Sequence, residues 1–117
     1  MKDFKKLEMW QHSMDLVDLV YNLYDGLPWQ DVSEYKSQSQ RATISIPSNI
    51  AEGNSRRSER DKFRFMEIAL GSAFELETQT LSAMRRPWCA KEKAERILNA
   101  VDRQQKMLIG FMDKLKF

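Results

Sequence analysis

The side chains best suited to catalysis or metal binding are scarce in this chain. His12 is the one histidine and Cys89 the one cysteine among 117 residues. Neither a histidine-rich metal site nor a histidine-dependent catalytic triad can therefore be assembled within one copy. The spacing around Cys89 implies no histidine partner, which favours an incidental thiol, and no phosphate-binding glycine loop or dinucleotide turn is present. We predict a protein that is not an enzyme and needs no metal or cofactor.

Three glutamates, Glu67, Glu75 and Glu77, form the remaining group that could suggest a metal or acid–base site. Di-iron helical bundles need Glu-x-x-His pairs on two helices, and this chain has none. Glu75 and Glu77 are also two residues apart, about 200° around a helix, so they cannot share one face. We expect them to interact with a basic residue of an adjacent helix, with Arg41 as the candidate.

Basic residues are concentrated in one part of the sequence. Residues 36–64 contain seven lysines and arginines against three acidic residues, and five of the seven lie in residues 56–64. Such a cluster suits phosphate, because a helix start also presents free N–H groups and a positive dipole end. The alternative interpretation is a solvated helix end. The candidate nucleic-acid-binding residues are Arg41, Arg56, Arg57, Arg60, Lys62 and Arg64.

A second basic group flanks the next loop and consists of Arg85, Arg86, Lys91, Lys93 and Arg96. Successive loops of an up-and-down bundle lie at opposite ends, so we expect the two groups not to form one stripe. In a ring-shaped oligomer, copies of either group would converge around the axis and bind phosphates without sequence preference.

Amphipathic helices are predicted at residues 6–25, 32–52, 59–85 and 90–116. They are separated by helix-ending residues, which are Gly26 with Pro28, Gly53 with Asn54, and Pro87. Four such helices joined by short loops predict an all-α fold, an antiparallel up-and-down four-helix bundle. We expect residues 1–117 to form it as a single domain.

The pattern also predicts details of the individual helices. The second helix is expected to start near Asp31 or Ser33 and to kink at Pro47 or break just before it. Ser58 followed three residues later by Asp61 is the clearest helix start. The first helix is predicted to present a main apolar face, formed by Trp10, Met14, Val17, Tyr21 and Tyr24. Four further residues broaden that stripe, so we expect this helix to contact neighbours on two sides; they are Leu16, Leu19, Val20 and Leu23.

Two further expectations concern polar and apolar surface. Ser45, Ser48 and Asn49 are expected to bond carbonyls that Pro47 leaves unpaired rather than to bind a ligand. The first and third helices carry more apolar residues than a monomeric bundle needs. Because such a surplus usually marks a subunit interface, we predict a homo-oligomer.

The overall composition indicates where the protein is found in the cell more than it indicates what the protein does. The formal charge is only +2, so the distribution of charge matters more than its sum. A single cysteine favours a reducing cytoplasm. The first nine residues contain no apolar run, and no stretch approaches the ~20 apolar residues of a membrane span. We expect a soluble, cytoplasmic protein without a membrane partner.

Specific motifs connect the chain to a known family. Residues 45–53 (SIPSNIAEG), followed by Arg56-Arg57-Ser58, and residues 69–72 and 75–79 closely resemble the four-helix bundle proteins encoded by intervening sequences in 23S rRNA genes. That family is similar to the accessory variability proteins of diversity-generating retroelements. The resemblance implies a ring-like homopentamer that binds RNA or DNA through basic surface, beside a reverse transcriptase. The alternative is a protein-interaction scaffold without nucleic-acid affinity.

Two positions depart from the family pattern. Residues 38–42 (QSQRA) usually read Gln-Ile-Arg-Arg-Ala, so one apolar and one basic position are lost here. This change weakens any basic contact assigned to position 40. The loop before the fourth helix usually carries a glycine–aromatic pair, and Pro87-Trp88 stands there instead.

Overall fold

Four α-helices form the protein in a computed structural model that describes residues 3–117. Consecutive helices pack against each other, and the fourth also packs against the first, so the four make a closed square. The bundle measures 47 × 20 × 19 Å, and none of its helices is long and apolar enough to cross a membrane. The predicted all-α fold is confirmed. After a short 3-10 helix at Phe4–Lys6, the helices are α1 Glu8–Tyr24, α2 Trp29–Asn54, α3 Glu59–Ala83 and α4 Lys91–Asp113.

The helix ends follow the predicted signals at two places and depart from them at a third. Gly26 adopts φ 75° just beyond α1, the left-handed conformation that favours glycine after a helix. The Ser58 hydroxyl accepts from the Asp61 N–H at 3.1 Å and caps α3. The predicted start of α2 at Asp31 or Ser33 is wrong, because the helix already begins after Pro28. Proline loses nothing there, since the first N–H groups of a helix have no intrahelical partner.

Helix α2 passes through Pro47 without a break, so the predicted break before this residue is wrong. Ile46 and Ile50 are fully buried, and their packing holds this segment in the helix despite the hydrogen bond that proline removes. The Asn49 amide donates to the carbonyl of Ser45 at 2.8 Å and to its hydroxyl at 3.0 Å. Ser72 of α3 donates to the same hydroxyl at 2.8 Å. These polar side chains therefore join α2 to α3.

Gly53 allows α2 and α3 to approach closely, and the helix ends one residue later, at Asn54. A Cβ at this position would lie 2.7 Å from Met66 Cε and 2.8 Å from Phe65 Cβ. Gly71, in the middle of α3, has nothing within 4 Å of an added Cβ. Both glycines lie in helices, but only Gly53 is required for close packing, whereas the space beside Gly71 can accept a larger side chain.

We expect Gly53→Ala to lower the free energy of unfolding by about 1–2 kcal/mol. Overpacking costs about 1–3 kcal/mol, and the better helix propensity of alanine returns up to about 1 kcal/mol. The matched control, Gly71→Ala, should raise stability by about 0.5–1 kcal/mol. Urea unfolding followed by circular dichroism measures both variants. A stabilised Gly53→Ala variant would contradict the close approach of α2 and α3.

On α1 the core is formed mainly by the residues that were predicted to broaden the apolar stripe, and less by its predicted main face. Met9, Leu16, Val20, Leu23 and Tyr24 are buried, so of the predicted main face only Tyr24 belongs to the buried core. Met14 and Tyr21 are exposed, while Trp10 and Val17 are half-buried. The periodicity was correct, but both stripes share it, and packing against α2 and α4 selected the other one.

Two patches of exposed apolar side chains lie on opposite sides of the square. Tyr21 and Ile44 line the same shallow depression between α1 and α2, and Met14 lies two turns from Tyr21 on the same side of α1. On α3, Phe74 and Leu81 flank Glu77, which contacts α4. We name these patches the α1–α2 face (Met14, Tyr21, Ile44) and the α3–α4 face (Phe74, Leu81, Ile109); all six side chains are between 40% and 50% exposed.

Candidate nucleic-acid interface

Five of the six candidate binding residues gather at the end of the bundle that holds the α2–α3 loop. We call this group the basic end; it consists of Arg56, Arg57, Arg60, Lys62 and Arg64. Within residues 3–117, only two ion pairs form, one between Arg56 and Glu52 at 3.5 Å and one far from this end. Four of the five cations therefore have no carboxylate within 4 Å. Their positive charge is available to a ligand.

The start of α3 divides the basic end into two sides. Arg56, Arg57 and Lys62 line one depression, and Arg60 with Arg64 lines another. The Lys62 ammonium donates to the carbonyl of Asn54 at 3.2 Å, which holds the lysine across the loop. A polyanion that crosses this end would meet cations on both sides of one helix start.

Aromatic rings lie beside two of these arginines. The Arg56 guanidinium carbon is 4.7 Å from the centroid of Phe65, and that of Arg60 is 5.1 Å from the centroid of Phe117. Phe63 meets Phe117 edge to face at 5.5 Å. The sequence analysis named no aromatic residue at this end of the bundle and so missed these rings. The signal was present, because residues 62–65 alternate cation and phenylalanine.

Arg41 does not join the basic end. It lies 13 residues before the last residue of α2, about 20 Å along the helix axis. Its side chain lines the depression that also contains Tyr21 and Ile44. Arg41 therefore borders the α1–α2 face, and the structure separates it from the other five candidates.

The second basic group lies at the other end of the bundle, as predicted. Helix α3 has 25 residues between the two loops, which corresponds to about 37 Å. Lys93 uses its ammonium to bond the carbonyl of Asn22 at 3.3 Å. The two groups consequently cannot serve one short ligand within a single copy.

The residues first considered for chemistry have packing roles. His12 Nε2 donates to the carbonyl of Ala100 at 2.8 Å, which ties α1 to α4 and fixes the proton on Nε2. Glu77 accepts from Gln105 of α4 at 2.7 Å, so the predicted partner Arg41 is wrong for this carboxylate. Burial raises the pKa of the Cys89 thiol above its ordinary value, and nearby Lys91 only partly opposes this. Such a thiol is less reactive than an exposed one at neutral pH.

Residues 5–110 match the family model described as 23S rRNA-intervening sequence protein. This match spans most of the 117 residues and includes all four helices apart from the end of α4. The chain belongs to the 23S rRNA-intervening sequence protein family. The same match covers every residue of the basic end.

A solved structure supports the relationship. It is described as a protein with unknown function from the S23 ribosomal protein family of Bacteroides thetaiotaomicron, and it has 27% sequence identity and a TM-score of 0.79. The alignment covers 91% of this chain and 99% of that one. No curated protein matches the chain.

The motif that connects the chain to the 23S rRNA-intervening sequence proteins is largely a packing motif in this structure. Within residues 45–53, Ser45 and Asn49 join the polar cluster with α3, and Gly53 provides the close approach. Residues that depart from the family pattern also pack inside the bundle. Ser39, where the pattern has isoleucine, is buried and lies 3.1 Å from the Tyr24 hydroxyl. Trp88 packs against the rings of Tyr24 and Tyr35.

Proposed function

We propose that this protein is a non-enzymatic, oligomeric accessory factor that binds the phosphate backbone of nucleic acid through its basic end. The observation that carries the proposal is that the positive charge of the basic end is largely unpaired. Among the described residues, only Arg56 of this group has a carboxylate within 4 Å. Uncompensated arginines and lysines supply the sequence-independent, salt-sensitive part of nucleic-acid affinity. The neighbouring phenylalanines Phe65 and Phe117 add surfaces on which bases stack.

The two apolar faces support assembly into a ring. They are different surfaces on opposite sides of the bundle, so the contact they favour is head to tail, with each copy using one face for each neighbour. In a closed ring of this kind the basic ends point to the same side. Five copies, the number that the family resemblance implies, would then offer one strand several basic ends at high effective concentration.

Partners follow from the family more than from the site. The family description refers to 23S rRNA, so RNA is the first ligand to test, and DNA is the second. The likeness to accessory variability proteins makes a reverse transcriptase the expected protein partner, and the cytoplasm is the expected compartment. Any contact that Arg41 makes with a ligand would lie at the α1–α2 face and not at the basic end.

A protein-interaction scaffold without nucleic-acid affinity is the second candidate. Two observations favour it: the exposed α1–α2 and α3–α4 faces and the modest formal charge of +2. In this case the basic end would only keep the bundle soluble. Both candidates share the oligomer and differ in whether nucleic acid binds.

Light scattering after gel filtration, with and without a short RNA or DNA in 0.15 M salt, tests the proposal. We expect an oligomer that forms a larger complex with nucleic acid and releases it in 1 M salt. An oligomer whose mass does not change with nucleic acid favours the scaffold. A monomer that binds no nucleic acid contradicts both candidates.

A further inference from the structure

A depression of about 590 Å³ lies beside the α2–α3 loop, where the chain before α1 and the end of α4 meet that loop. Its volume is within the range of small-molecule sites. Cationic side chains form one part of its lining and apolar side chains another. The cations are Arg56, Arg57 and Lys62, and the apolar side chains are Leu7, Phe111 and Leu115.

We propose that this depression binds the phosphorylated end of a single nucleic-acid strand. The terminal phosphate is held by Arg57 and Lys62, and the terminal base lies against Leu7, Phe111 and Leu115. The inference rests on the proposed function and adds to it a defined position on the strand. The rest of the strand then continues over the basic end.

The charges of the depression favour a terminal phosphate over an internal one. A phosphate monoester carries a charge of about −1.5 to −2 near pH 7 and three strong acceptor oxygens, whereas each internal phosphate carries a single charge. Arg57 is exposed and has no carboxylate within 4 Å among residues 3–117. Lys62 spends one of its three N–H donors on Asn54. Arg56 contributes less, because Glu52 and Phe65 already engage it.

The apolar side chains make the depression suitable for a base and not only for an inorganic anion. Phe111 and Leu115 are half-buried in α4 and just beyond it, and Leu7 is half-buried before α1. Two segments of chain that are distant in sequence thus present apolar surface to one space. Burying one side of a base there removes apolar area from water, which an isolated phosphate does not do.

Glu59 is the one carboxylate of the lining. Its Oε2 accepts from the backbone N–H of Lys116 at 2.7 Å, which fixes it near the edge of the depression. A carboxylate opposes a phosphate and accepts hydrogen bonds from an amino or hydroxyl group of the terminal nucleotide. Glu59→Gln should therefore strengthen binding of phosphorylated ends relative to hydroxyl ends.

Three 12-nucleotide RNAs of one sequence, with an internal fluorophore, test the inference by fluorescence polarisation in 0.15 M salt. One carries a 5′-phosphate, one a 3′-phosphate, and one hydroxyls at both ends. We expect at least one phosphorylated strand to bind about tenfold more tightly than the hydroxyl strand, which corresponds to about one hydrogen-bonded charge pair. Comparison of the 5′ and 3′ strands identifies which end enters the depression.

Arg57→Gln should abolish this preference and leave a weaker, equal affinity for all three RNAs. The matched control is Arg64→Gln, on the other side of α3, which should weaken all three equally and keep the preference. Equal binding of the three RNAs by the unmodified protein overturns the end-binding inference and leaves the proposed function intact. Absence of binding to all three removes the proposed function and the inference with it.

Discussion

A triple variant in which Arg56, Arg57 and Arg60 are each changed to glutamate is expected to lose nucleic-acid binding at 0.15 M salt. The expected loss of affinity is at least about 100-fold. Each replacement changes the charge by two units, so the formal charge of one copy falls from +2 to −4. An oligomer repeats this change in every copy. In this variant the basic end carries acidic residues and repels phosphate instead of attracting it.

The bundle should tolerate these three replacements. All three arginines are exposed, and glutamate at position 60 is favourable because it lies in the first turn of α3, near the positive end of the helix dipole. The ion pair lost with Arg56 is between exposed groups, and such pairs contribute little to stability. Circular dichroism and oligomeric mass should therefore remain those of the unmodified protein.

The control reverses the same amount of charge at the other end of the bundle. The variant with Arg85, Arg86 and Arg96 changed to glutamate also has a formal charge of −4 per copy, and all three positions are exposed. We expect it to retain most of the binding. Filter binding or polarisation over a range of salt concentrations compares the variants. Equal losses in both would mean that net charge matters and that the assigned site is wrong.

The second large effect concerns assembly. Phe74→Glu combined with Leu81→Glu on the α3–α4 face is expected to convert the proposed oligomer into single chains of about 13.8 kDa. Each buried, unpaired carboxylate at an interface costs about 3–5 kcal/mol, and every junction of a ring would carry two. Because both side chains are exposed in the single copy, the bundle itself should remain folded. Light scattering after gel filtration measures the mass.

A matched control separates this face from general surface charge. Ile68 is as exposed as the other apolar side chains, but it lies one turn from Ser72, on the side of α3 that contacts α2. Ile68→Glu should leave the oligomeric mass unchanged. Loss of assembly in this variant would show that the interface lies elsewhere.

The proposed head-to-tail contact also predicts the mass of a second variant and of its mixture with the first. A variant with Tyr21→Glu and Ile44→Glu on the α1–α2 face should also be a single chain. Mixed with the Phe74 and Leu81 variant, it should form a dimer, because each partner keeps the face that the other needs. Failure of the mixture to form dimers would contradict a contact between these two faces.

The helices could be predicted from local patterns. Periodicity, Pro87 and the Ser58 cap located α3 and α4 within a few residues, because these signals act over one or two turns. The concentration of basic residues in 56–64 is likewise visible in the sequence. Their position at one end follows once four helices alternate in direction.

Only the tertiary structure decided which side chains meet. Two apolar stripes of α1 have the same helical period, and the neighbours α2 and α4 determined that Leu16 and Val20 are buried while Met14 and Tyr21 are exposed. Packing likewise carried α2 unbroken through Pro47, where local rules predicted a kink or a break. The apolar lining of the depression at the basic end comes from Leu7 together with Phe111 and Leu115, which the sequence places far from Leu7. Local patterns contain no information on such contacts, because they depend on which helix faces which.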